Sequence, residues 1–91
     1  MRRSSVEGVN DDQTLLREFG DRLRHARTDK GLSQETLSHA AGLHRTYVGA
    51  VERGERNITL LNILTLATTL EIDPATLVQG MARGPKEKEL G

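Results

Sequence analysis

Glycines at positions 31, 42 and 54 divide the middle of the chain into segments of about two to three helical turns each. Glycine commonly stands just beyond the last residue of a helix, where the chain turns into the left-handed region. The apolar residues between these stops recur at helical spacing. Leu16, Phe19, Leu23 and Ala26 share one face of a first helix that starts near Asp11 or Asp12 and stops at Lys30-Gly31. Ser33 is suited to cap a second helix, which carries Leu37 and Ala41 inward and stops at Gly42. A third begins near His44 or Arg45, turns Val48 and Val51 inward and ends at about Arg53. Gly49 keeps its outer face low.

Thr59 is suited to cap a fourth helix over 60–70, with Leu60, Ile63, Ala67 and Leu70 assigned inward. Asp73-Pro74 reads as a cap followed by proline at the first helical position, opening a fifth helix to Met81. No alternating strand pattern and no internal repeat occurs, so the fold class is all-α. The expected organisation is a flexible arm over 1–10, one domain over 11–81 and a mobile charged tail over 82–91.

Composition excludes several classes. With 91 residues the core is thin, and a large catalytic cleft is not expected. There is no Cys, which removes disulfides and thiolate metal sites. His25, His39 and His44 have no carboxylate cluster around them, and His39 and His44 are separated by a glycine turn; no metal and no cofactor are expected. No nucleotide-binding glycine motif and no catalytic triad pattern is present, so no enzymatic activity is expected. No apolar run is long enough to span a bilayer, and positions 1–13 lack the apolar stretch of a signal peptide; a cytoplasmic location without membrane partners is expected. Lys plus Arg and Asp plus Glu number 13 each, so any nucleic-acid affinity must come from a local patch. One Tyr, one Phe and no Trp cannot make a stacking platform for single strands.

The second and third helices, joined by Gly42 and crossing at the small Ser38, have the pattern of a helix-turn-helix over 34–53. Pinning Val48 and Val51 to a core leaves Arg45, Thr46 and Ala50 facing outward. Such a helix fits the major groove, where Arg donates twice to guanine and a Thr methyl packs on thymine. Its dipole favours phosphate at its N-terminus, near His44.

The segments GLSQETL, AAGLHRTYV and VERGERNITL resemble the phage repressor/Cro family of helix-turn-helix regulators across residues 19 to 78. The run HRTYVGAVERGERNIT looks most like the controller proteins of restriction–modification systems. The resemblance implies a compact five-helix, lambda-repressor-like domain, a homodimer and a palindromic double-stranded DNA operator. It implies base contacts from Arg45, Thr46 and Ala50. Backbone contacts are implied for Ser33, Gln34, Tyr47, Arg53, Arg56, Asn57 and Asn62. It also implies a buried ion pair between Arg27 and Glu52. RNA polymerase is a further partner for such a regulator; a small-molecule effector is not expected.

Ordinary roles stand beside these. Tyr47 suits the edge of a core, Arg53 and Arg56 suit solvent, and Arg2 and Arg3 suit either a minor-groove arm or an unstructured end. An antitoxin repressing its own operon, or an interaction module on the same fold, are the rival functions. Once the inward residues of the fourth helix are assigned, Leu61, Leu64, Leu66, Ile72, Leu77, Val78 and Met81 remain. That surplus points to a dimer interface, with Leu61, Leu64, Ile72, Leu77 and Met81 as candidates and Ile72 and Leu77 at its centre.

Overall fold

The computed structural model describes residues 11–83. The expected arm with Arg2 and Arg3, and the tail from position 84, lie outside the described residues. Within them are α1 (Asp12–Asp29), α2 (Gln34–Ala41), α3 (Arg45–Glu52), α4 (Leu60–Leu70) and α5 (Ala75–Val78), with no strand.

Side-chain caps start most of these helices. Asp11 accepts from the Thr14 N–H at 2.8 Å, and that bond holds its carboxyl below the usual range. Ser33 accepts from the Thr36 N–H at 2.9 Å, and Thr59 from the Asn62 N–H at 3.1 Å. Asp73 accepts from the Ala75 N–H at 2.9 Å, one residue ahead of the N-cap, which is Pro74 rather than the expected Asp73. Gly42 ends α2 at φ 74°, and a side chain there would have ample space. Glycine is favoured at this turn for its backbone angle rather than its size. Glu71 ends α4 at φ 61°, a left-handed position held without glycine. Its carboxylate pairs with Lys30 across the C-termini of α1 and α4.

α1 packs on α3 and α5, and α2 packs on α3 and α4. The core joins Phe19 and Leu23 of α1, Leu37 of α2, and Val48 and Val51 of α3. Leu66, Ala67 and Leu70 of α4 and Leu77 of α5 complete it. Burying a side chain of this kind contributes about 1.5–3 kcal/mol. Against α1, α3 lies in backbone contact. A Cβ on Gly20 would collide with the carbonyl oxygens of Val51 and Glu52.

Three apolar assignments are corrected. Leu60 is 67% exposed rather than inward. Burial along α4 rises toward its C-terminal half, and Leu60 opens the helix beyond the level where the core closes. Leu66 is fully buried rather than surplus, because it falls between Ile63 and Leu70 on the inward stripe. Leu77 is also fully buried, so it belongs to the monomer's own core and not to the centre of an interface. α5 ends at Val78, short of Met81, because Gln79 turns extended and Gly80 left-handed. Of the tail, Ala82 and Arg83 are described, and Arg83 pairs with Asp12 at 2.7 Å. No described helix is long and apolar enough to cross a membrane.

Candidate nucleic-acid interface

The geometry of α2 and α3 follows from small residues at their crossing. Ser38 is buried, and its hydroxyl donates to the Gln34 carbonyl at 2.6 Å. Gly49 is buried as well; a Cβ there would sit 3.4 Å from the Gln34 side-chain oxygen. The low surface at Gly49 therefore receives the start of α2 and the Arg53 side chain.

Behind this crossing lies the ion pair implied by the resemblance. Glu52 accepts from Arg27 Nε at 2.7 Å and from Nη2 at 3.0 Å, and its side chain is 2% exposed. The bidentate contact holds the Arg27 guanidinium charged even more firmly than in water. Arg27 also donates to the Leu32 carbonyl at 2.9 Å. Gln34 Nε2 donates to Glu52 at 2.9 Å. Gln34, expected only as a backbone contact, is thus part of this buried network. Nothing local in the sequence signals that bond, which spans two helices.

The outer face of α3 presents Arg45, with its side chain 65% exposed, and Thr46 beside it. His44 precedes them, exposed and giving no side-chain cap, so the first N–H groups of α3 lack a side-chain acceptor from His44. Ala50 departs from expectation. It is buried, at 8% exposed, and its carbonyl accepts the Glu55 N–H at 2.8 Å in the turn that closes α3. Gln13 holds the same turn by donating to the Gly54 carbonyl at 3.0 Å.

Around this face stand the expected backbone contacts. Ser33, Arg53, Arg56 and Asn57 are exposed; Tyr47 and Asn62 are half-buried. Arg56 lies over the Tyr47 ring, 5.4 Å from its centroid. Asn62 Nδ2 donates to the Tyr47 hydroxyl at 3.1 Å. Two acidic residues not foreseen also border the face. Glu35 is 3.8 Å from Arg45, and Glu55 is 3.1 Å from Arg53. The Arg53 bond lowers the Glu55 carboxyl from its ordinary value. The Arg53-x-Glu55 spacing could have suggested one of these pairs; Arg45 and Glu35 come from separate helices. Among the described residues, no group of three or more His, Asp or Glu could hold a metal ion.

Comparison with known proteins follows the same outline. The family model described as Helix-turn-helix matches residues 23–77. Control protein C.SmaI of Serratia marcescens is 50% identical over 52 residues, which is 57% of this chain. The match spans 62% of that relative's own length, less than two thirds. The restriction-modification controller protein C.AhdI of Aeromonas hydrophila has a crystal structure with TM-score 0.67 and 63% identity. That likeness covers 68% of this chain and 94% of C.AhdI. The controller protein C.Esp1396I, solved as a tetramer on its natural operator, gives TM-score 0.65 and 29% identity over 71% of this chain and 86% of its own.

Proposed function

Because the chain belongs to the helix-turn-helix family, beside the restriction–modification controller proteins, we propose that it is an operator-binding transcriptional regulator of that kind. The carrying observation is α3 itself, pinned by Val48, Val51 and the Arg27–Glu52 pair with Arg45 and Thr46 exposed at its start. Arg45 donates to guanine and Thr46 packs against a neighbouring base. Ser33, Gln34, His44, Tyr47, Arg53, Arg56 and Asn57 hold phosphates. Burial of Ala50 limits it to shaping the surface between them.

The regulator acts as a homodimer on a palindrome. Leu61, at 73% exposed, and Leu64, at 39%, form an apolar patch on α4, and they replace Ile72 and Leu77 at the centre of the interface. Ile72 and Met81, both half-buried against the core, contribute at its edge. Two recognition helices then reach successive major-groove faces, roughly 34 Å apart. Occupancy follows protein concentration through dimerisation, which suits control of its own gene and contact with RNA polymerase.

The test is sedimentation with operator titration. The chain should sediment as a dimer and bind a palindromic duplex selected from a random pool, with affinity falling steeply as salt rises. Leu64→Asp should yield a monomer of unchanged helicity with weakened binding. A dimer that persists in Leu61→Asp and Leu64→Asp alike overturns the interface. A wild-type chain that binds no duplex overturns the function.

A further inference from the structure

Asn62 and Tyr47 join α4 to α3 at a point the base-reading residues do not use. The Asn62 amide nitrogen donates to the phenolic oxygen at 3.1 Å, and Asn62 is itself fixed by its backbone bond to Thr59. A phenol carries one proton as well as its acceptor oxygen. With the oxygen occupied by Asn62, the phenol must direct that proton elsewhere, and among the described residues no protein acceptor receives it. The Arg56 guanidinium lies over the ring, 5.4 Å from its centroid, so a cation stands beside the phenol.

The surroundings define the acceptor. Tyr47, Asn62 and Arg56 line an open cleft with His44 and Thr46, and no carboxylate lines it. This contrasts with Arg45 and Arg53, each of which has a glutamate beside it. A cleft with a cation and an oriented O–H donor fits an anionic oxygen.

We propose that Asn62 is a positioning residue that fixes Tyr47 as a hydrogen-bond donor to a phosphodiester oxygen of DNA. Asn62 acts through the phenol and makes no backbone contact of its own, which revises the role implied by the resemblance. Arg56 completes the arrangement by supplying the charge. The inference rests on the DNA-binding reading above and deepens it.

A double-mutant cycle on operator affinity tests it. Wild type, Asn62→Ala, Tyr47→Phe and the double variant are titrated with a duplex selected by the wild-type chain, and each is melted by circular dichroism. Losing one neutral hydrogen bond corresponds to about three- to tenfold in affinity. Asn62→Ala should lose that much when Tyr47 is present and less than about twofold in the Tyr47→Phe chain. Equal losses in both backgrounds would mean that Asn62 contacts DNA directly, and would overturn the proposal. So would no loss in either background. Asn62→Ser, suited to the first turn of a helix, replaces alanine in the cycle if the alanine chain melts early. A wild-type chain that binds no duplex would remove the functional reading and this inference together. Binding with additive losses would remove this inference alone.

Discussion

The same two side-chain types meet in two places with opposite consequences. Behind α3, Arg27 and Glu52 form a bidentate pair with side chains 11% and 2% exposed. In front of it, Arg45 and Arg53 meet Glu35 and Glu55 with every side chain more than half exposed. The rear pair is enclosed, shared with Gln34 and tied to the Leu32 carbonyl. Removing one partner there leaves a largely buried charge without its counter-ion. The front pairs are solvated and contribute little to folding. Their guanidinium groups can exchange a carboxylate for a guanine edge or a phosphate at small cost. Burial, more than pairing, separates an arginine that holds the fold from one available to a ligand.

The largest effect expected from this contrast is on stability. Arg27→Met should cost roughly 3–5 kcal/mol in denaturant unfolding, because it strands the more buried partner, Glu52. Glu52→Gln should fall at the lower end of that range, since Arg27 retains its bond to Leu32 and some access to water. The double variant should cost less than the sum of the two. Singles that melt within a degree or two of wild type would place both regions in one class.

A smaller effect separates the regions by pH. Arg53 lowers the Glu55 carboxyl and Lys30 lowers that of Glu71, each through a direct hydrogen bond. A carboxyl depressed in the folded state adds stability above its ordinary value and loses it as pH falls through the folded one. Melting between about pH 5 and pH 3 should therefore show a shallow loss, made shallower by Glu55→Gln and Glu71→Gln. A steep change abolished by either substitution would show that the exposed pairs carry far more than their solvation allows.

Much of this arrangement was legible in the sequence where one residue type suffices. Ser33 and Thr59 capped the helices they were assigned, Gly42 adopted the left-handed turn, and Val48 and Val51 faced the core. Helical phase was less informative where burial depends on position along an element. Leu60 shares the inward phase of Ile63 yet opens its helix into solvent, while Leu66 and Leu77 are enclosed by helices distant in sequence. Ala50 faced outward by phase, yet it is buried together with its neighbours from Val48 to Glu52. Gln34 and Glu35 acquire partners across the helix crossing, a contact set by tertiary geometry that local spacing does not encode.

On the same face, Arg45 is assigned to bases and Arg56 to the backbone. The most direct measurement titrates wild type, Arg45→Ala and Arg56→Ala with the selected duplex and with a shuffled duplex of equal composition, across a range of salt. Arg45→Ala should lose about 1–3 kcal/mol on the selected duplex and little on the shuffled one. Arg56→Ala should weaken both alike and reduce the salt slope by about 1. Equal losses on both duplexes for Arg45→Ala, or an unchanged salt slope for Arg56→Ala, would contradict the account of this face.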